Sequence, residues 1–138
     1  MWLNSLSNLA LAAVAFDDRQ RIKEFYERLT PYAGLNTPNS IFLYNGSVAH
    51  YLGILASKLD SDTKVIRHFE QAVEANRTMA LRPQLLRTQV VFAEWLKHRG
   101  GGTNKRRLKA VLDEALSSAR EMKIEPLLNR AKALCNYR

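Results

Sequence analysis

Apolar residues recur along this chain with a period of 43 residues. Three positions repeat three times: Ile22, Tyr26 and Leu29, then Val65, Phe69 and Ala72, then Leu108, Leu112 and Ala115. An acidic residue accompanies each copy, as Glu27, Glu70 and Asp113. Within each copy the three apolar residues are four and then three positions apart, which places them on one face of an α-helix. The pattern therefore predicts three helices with the same apolar face. A period of roughly 20–50 residues indicates stacked helical units, each covering its neighbour's apolar side.

The pattern around these stripes predicts an all-α fold of seven helices. They are expected at about 2–15, 18–30, 46–59, 62–79, 83–98, 104–122 and 126–134, with a lead-in from Ser40 that could also be helical. Residues typical of helix starts support several of them: Asp17 and Asp18, the turn Asp60-Ser61-Asp62, either Thr103 or Asn104, and the prolines Pro83 and Pro126. Aromatic and β-branched residues form no period-two runs, so no sheet is expected.

A length of 138 residues fits a single domain. We expect one helical-repeat domain, with repeat 1 at about 2–30, repeat 2 at about 46–79, repeat 3 at about 83–122 and a cap at about 125–135. The lone Cys135 cannot form an internal disulfide, which favours a reducing, cytoplasmic location. Apolar runs stay well short of the ~20 residues that span a bilayer, so no membrane association is expected.

Positive charge is in excess, with 21 Lys and Arg against 13 Asp and Glu and a formal net charge of +8. A field of this sign can favour nucleic acid, acidic proteins or anionic lipid. The charges are spread along every predicted helix, as on a solvated repeat surface. One local concentration stands out as a possible basic patch: Lys105, Arg106, Arg107 and Lys109.

Catalytic and cofactor-binding patterns are absent from the sequence. The segment from Gly100 to Lys105 lacks the Gly-Lys-Ser/Thr order and the preceding strand of a phosphate-binding loop. The histidines His50, His68 and His98 do not have metal-ligand spacing. There is no Gly-x-Ser-x-Gly nucleophile motif. We therefore expect no enzyme, no catalytic residues, no cofactor and no metal.

The repeated residues resemble the tetratricopeptide repeat, in which a small residue on the first helix of a pair faces a small or aromatic residue on the second. In the second repeat, Leu52-Gly53 and Ala56 match the first helix, and Phe69 and Ala72 match the second. The first repeat is similar, with Leu9-Ala10 and Ala13 on the packed side of its first helix. The period is longer than the family's usual 34. The resemblance implies a right-handed α-α superhelix of about three helix pairs plus a C-terminal capping helix.

A narrower resemblance covers nearly the whole chain, from about Leu6 to Glu121. Its blocks are the run from His50 to Ala56, the run from His68 to Ala72, Arg82-Pro83, Arg87-Thr88, Ala93 and Leu96. In order and spacing they are similar to the C-terminal helical region of bacterial STAND-type signalling ATPases that carry a cyclase or a LuxR-type DNA-binding domain. The resemblance implies an interaction and regulatory module, without the ATPase, cyclase or DNA-binding parts.

In a stack of helix pairs, the first helix of each pair lines a concave groove. The residues placed there are Asn4 and Ser7, then His50, Ser57 and Lys58, then Arg87, Glu94 and Lys97. Cations along a groove can hold an acidic segment or a C-terminal carboxylate. The alternative is that Arg87 and Glu94 form solvated ion pairs. Stack ends could also serve as dimer seams, through Trp2 and Leu3 at one end and Leu127, Leu128 and Tyr137 at the other.

The sequence therefore predicts a non-catalytic protein–protein interaction scaffold. The expected partner is a protein or peptide, in sensing or self-association within a bacterial signalling ATPase, cyclase or transcriptional regulator. A homodimer through the stack ends is a further arrangement. The alternative hypothesis is a helical protein that binds nucleic acid through the basic patch.

Overall fold

Helices form most of the computed structural model, which describes residues 2–38, 44–59 and 61–135. Within these residues there are seven α-helices: α1 Trp2–Ala15, α2 Arg19–Leu29, α3 Val48–Ala56, α4 Asp62–Thr78, α5 Arg82–Arg99, α6 Gly102–Met122 and α7 Glu125–Leu134. A 3₁₀ turn, Thr30–Tyr32, follows α2. Two short strands, β1 Asn36–Pro38 and β2 Tyr44–Ser47, precede α3. The mostly helical fold predicted from the sequence is confirmed.

The contacts divide the chain into two compact units, Met1–Leu81 and Arg82–Arg138. In the first unit, α1 packs against α2 and α3, and α3 packs against α4. In the second unit, α5 and α7 pack against α6 and against each other. The predicted repeat boundaries and the superhelix stay predictions.

The faces that repeat at 43 residues are buried, as predicted. Eight of the nine stripe residues are at most 4% exposed: Ile22, Leu29, Val65, Phe69, Ala72, Leu108, Leu112 and Ala115. The ninth, Tyr26, is half-buried. The period therefore identified the sides of α2, α4 and α6 that form the cores of their own units.

Helix α3 meets α4 at very short range through a glycine. A Cβ atom added at Gly53 would lie 2.8–2.9 Å from three ring atoms of Phe69, closer than real Cβ contacts come. The Phe69 side chain is only 1% exposed. The close approach expected at Gly53 is thus present, and it needs a residue without a side chain.

The prediction that no sheet forms is wrong, because β1 and β2 pair as an antiparallel hairpin. The Thr37 hydroxyl donates to the Gly46 carbonyl at 3.2 Å, and the Ser47 amide donates to Asn76 Oδ1 on α4 at 3.2 Å. Buried polar side chains and backbone pairing hold the hairpin, and neither leaves an alternating apolar pattern. Residues 40–43 of the helical lead-in considered from Ser40 lie outside the described residues.

The predicted helix starts are partly confirmed. Asp18 caps α2 by accepting from the Arg21 amide at 3.2 Å. Helix α3 begins at Val48, later than expected, because Gly46 has φ +100° within β2 and Ser47 supplies the cap by accepting from the Ala49 amide.

At α6 the predicted caps are wrong. The helix already begins at Gly102, after Gly101 with φ +93°, a backbone conformation that glycine adopts without strain. Thr103 and Asn104 therefore lie inside the first turn, where the Asn104 side-chain Nδ2 donates to the Gly100 carbonyl at 2.9 Å. The final helix begins beside Pro126, as expected.

Candidate interaction surface

Helix α1 contains no charged residue in its 14 positions, in a chain whose formal net charge is +8. Leu3, Ser7, Ala10 and Ala13 form its buried face. The Ser7 hydroxyl is satisfied within the helix, because it donates to the Leu3 carbonyl at 2.9 Å. One side of α1 thus belongs to the core of the first unit.

A second side of α1 is apolar as well, yet it faces solvent. Trp2 is 57% exposed, Leu9 is 55% exposed, and Phe16, directly after the helix, is 85% exposed. We call these three residues the outer stripe. They are seven residues apart, so at about 100° per residue they lie within about 40° of one another around the helix axis.

The outer stripe borders two open depressions between α1 and α2. The first, of about 640 Å³, is lined by Trp2, Ser5, Leu6, Leu9, Arg28 and Tyr32. The second, of about 260 Å³, is lined by Leu9, Ala12, Ala13, Phe16, Asp18, Arg21 and Phe25. Leu9 lines both. The depressions and the outer stripe together form one elongated apolar surface.

Charged and aromatic side chains define the two ends of this surface. The Trp2 ring packs edge-on against Tyr32, with ring centroids 4.9 Å apart. Near that end, Arg28 pairs with Glu24 at 2.9 Å. At the Phe16 end, Asp18 pairs with Arg21 at 3.3 Å. All four charged side chains are 41–67% exposed, so they form a solvated rim.

The groove residues predicted in the first unit do not form an open polar surface. His50 is only 3% exposed and packs edge-on against the rings of Tyr51 and Phe69. Ser7 is also buried, and the Ser57 hydroxyl donates to the Ile54 carbonyl. The prediction that His50 and Ser7 line a groove is therefore wrong, because α3 and α1 place these side chains in the core. The other two lie nearer the surface: Asn4 is half-buried, and Lys58 is exposed.

The groove residues predicted in the second unit mostly join α5 to α7. Glu94 on α5 forms an ion pair with Arg130 on α7, both side chains being 39–46% exposed. The Lys97 ammonium donates to the Ala133 carbonyl at 3.3 Å. Arg87 is half-buried. Glu94 thus forms a solvated ion pair with Arg130, which was the alternative to a groove role considered from the sequence.

The predicted dimer seams differ in exposure. Trp2 is exposed, whereas Leu3 is buried at 7% exposure. At the other end, Leu128 is buried at 6% and Leu127 is half-buried. Tyr137 lies outside the described residues. The prediction that Leu3 and Leu128 lie at dimer seams is therefore wrong, because both side chains pack in the cores of their own units.

The predicted basic patch lies in the first two turns of α6. Lys105, Arg106 and Lys109 are exposed, and Arg107 is half-buried. The first acidic residue of the helix is Asp113. Of the four cations only Lys105 is in the first turn of the helix, where the helix dipole disfavours positive charge.

A polar contact between the half-buried Tyr26 on α2 and the buried His68 on α4 was not predicted. The Tyr26 hydroxyl lies 2.7 Å from His68 Nε2, and the His68 residue is only 3% exposed. Burial, with smaller contributions from the positive charges of Arg67 and Lys64, lowers the pKa of His68 from 6.5 to about 4. Burial likewise raises the pKa of Tyr26. The imidazole is therefore neutral at physiological pH and can accept from the tyrosine hydroxyl.

The described residues, 2–38, 44–59 and 61–135, contain no group of three or more His, Cys, Asp or Glu side chains that could hold a metal ion. Over the same residues, no helix is long and apolar enough to cross a membrane. No family model, curated protein or solved structure matches this chain. The function is therefore inferred from the surfaces of the chain itself.

Proposed function

We propose that this chain is a non-catalytic protein–protein interaction scaffold whose docking surface is the outer stripe of α1. The observation that carries the proposal is the exposure of Trp2 and Leu9 on a helix without charge and of Phe16 directly after it. Leaving apolar surface in water costs about 25 cal/mol per Å² relative to burying it. A partner that covers the stripe removes this cost.

The size of the outer stripe supports a specific contact. Large aromatic side chains carry roughly 150–250 Å² each, so the exposed fractions of Trp2, Leu9 and Phe16 amount to about 400 Å². The largest apolar patch on a typical monomer is about 300–600 Å² and is often functional. Isolated exposed leucines need no explanation, but three large residues in register along one helix edge do.

The biological setting of the scaffold is part of the same proposal. The 43-residue period and the run from His50 to Ala56 support a tetratricopeptide-like right-handed superhelix. They also support a role in sensing or self-association within a bacterial STAND-type ATPase, cyclase or transcriptional regulator. The single Cys135 supports a cytoplasmic setting.

Site-specific photo-crosslinking in bacterial cells tests the docking surface. A photoreactive residue replaces Leu9, and the matched control replaces Gln71, which is exposed on α4. We expect a discrete cross-linked protein from position 9, identified by mass spectrometry, that is lost when Phe16→Glu is added. No adduct at position 9 beyond that at position 71 would contradict the proposal.

Nucleic-acid binding is the second candidate, favoured by the exposed cations Lys105, Arg106 and Lys109 on α6. Binding of this kind weakens steeply with salt, with a slope of about −0.9 in log K per phosphate neutralised on B-DNA. Fluorescence anisotropy with a labelled duplex and a single strand at low salt measures it. Absent or salt-independent binding eliminates this candidate, whereas a steep slope that Lys105→Glu reduces would establish it.

A further inference from the structure

Resting on the proposed function, we infer that the protein that covers the outer stripe is a second copy of this chain, docked through an antiparallel α1–α1 contact with two-fold symmetry. The placement of the three stripe residues makes the surface self-complementary. Trp2 and Phe16 each lie seven residues from Leu9, about 10.5 Å along the helix axis in either direction. A two-fold axis at Leu9 therefore places Trp2 against the partner's Phe16 twice.

Charge distribution favours a copy of the chain at this face. Two chains of formal net charge +8 repel each other overall. Helix α1 is free of charge along its whole length, so contact through it brings no like charges together at the centre. Symmetric pairing of the same patch on both chains is the commonest arrangement of soluble homo-oligomers.

The rim charges favour the antiparallel orientation. Arg28 lines the depression at the Trp2 end, and Asp18 lines the depression at the Phe16 end. Antiparallel docking brings Arg28 toward the partner's Asp18, whereas parallel docking brings it toward the partner's Arg28. Because both side chains are exposed and already paired within the chain, these contacts set orientation more than affinity.

The buried area predicts a weak, reversible dimer. Two outer stripes of about 400 Å² each, with the adjoining walls of the depressions, remove roughly 1,000 Å² from water. Specific interfaces start near this size, and the smallest of them belong to transient complexes. The dimer is therefore expected to depend on protein concentration.

Sedimentation equilibrium of the purified full chain from about 1 µM to 1 mM tests the inference, because dissociation constants of weak complexes lie in this range. We expect a monomer–dimer equilibrium that Leu9→Glu weakens at least about tenfold, since it places two carboxylates at the two-fold axis. Asn8→Glu is the matched control, since Asn8 is exposed on another side of α1, and we expect it to retain the dimer.

A charge swap at the same position makes the test independent of folding defects. Leu9→Glu and Leu9→Lys chains should each be monomeric alone and should associate when mixed. Orientation is tested in a Cys135→Ser background by mixing Trp2→Cys and Phe16→Cys chains under oxidation. Antiparallel docking gives the mixed disulfide, and disulfides between identical variants would overturn it.

A chain that is monomeric up to about 1 mM, or a dimer that Leu9→Glu leaves unchanged, would overturn the self-association inference. The scaffold proposal would then still stand if position 9 cross-links to a different protein in cells. If position 9 gives no adduct there, the scaffold proposal fails as well.

Discussion

Replacing Gly53 by alanine tests the closest helix–helix contact in the first unit. The new Cβ atom would lie 2.8–2.9 Å from three ring atoms of Phe69, whose side chain is 1% exposed. At this distance the buried ring or its neighbours must shift. Overpacking of a core by one methyl group costs about 1–3 kcal/mol.

An opposing effect makes the sign of the stability change informative. Alanine in a helix interior is favoured over glycine by about 1 kcal/mol. The net destabilisation of Gly53→Ala is therefore expected to be about 1 kcal/mol, which lowers the melting temperature of a unit this size by about 4–8 °C. Without the Phe69 contact, the same substitution would stabilise the protein.

Thermal and urea unfolding followed by circular dichroism measure the effect. Gly34→Ala is the matched control in the same unit, because a Cβ there meets nothing within 4 Å and its stability should change by less than about 0.5 kcal/mol. Combining Gly53→Ala with Phe69→Leu should cost less than the sum of the two single changes. A Gly53→Ala protein more stable than wild type would refute the close packing of α3 on α4.

Three further predictions concern polar contacts. Tyr26→Phe removes the hydroxyl at His68 Nε2 and should destabilise the protein by about 1–3 kcal/mol in urea unfolding, because it leaves a buried ring nitrogen unsatisfied; no loss would contradict the contact. The pKa of His68 falls from 6.5 to about 4 on folding, so between these pH values the unfolded chain binds the proton more readily than the folded chain. The contribution of His68 to the free energy of unfolding is therefore complete above pH 6.5 and is lost as the pH falls toward 4, by at most about 1.4 kcal/mol per pH unit. His68→Gln should remove that part of the pH dependence, and an identical pH profile would exclude His68 as its source. Glu94→Ala breaks the ion pair with Arg130, and because both side chains are solvated, a loss above about 1 kcal/mol would contradict the assignment.

The helices and their buried faces could be predicted because the spacing of apolar residues that indicates a helix lies within one continuous segment of the chain. A stripe such as Val65, Phe69 and Ala72 follows from 3.6 residues per turn and needs no knowledge of the partner helix. Asp18 could likewise be recognised as a cap, because the bond it accepts comes from a residue three positions later. The hairpin could not be predicted, because its anchor on Asn76 is 29 residues away from Ser47.

The candidate site was only partly predictable. Trp2 was expected at an exposed seam, but Leu9 was expected on the packed side of its helix pair, and it is 55% exposed. Phe16 was not singled out. The reason is that α1 is apolar on nearly every side, so its pattern does not separate a core face from a solvent face. His50 was expected in a groove, and it is buried. The Tyr26–His68 pair joins residues 42 positions apart, which no spacing rule within one helix connects.

By itself, the sequence determined which segments become helices and which faces of α2, α4 and α6 turn inward. The close approach of another helix at Gly53 was predicted only through the resemblance to the tetratricopeptide repeat. The tertiary structure alone decided that His68 is buried beside the Tyr26 hydroxyl, a burial that lowers its pKa, that Ser47 and Asn76 hold a hairpin, and that the outer stripe of α1 is exposed. The physical reason is that periodicity records how apolar each side of a helix is. Whether a neighbour covers that side depends on how the helices pack.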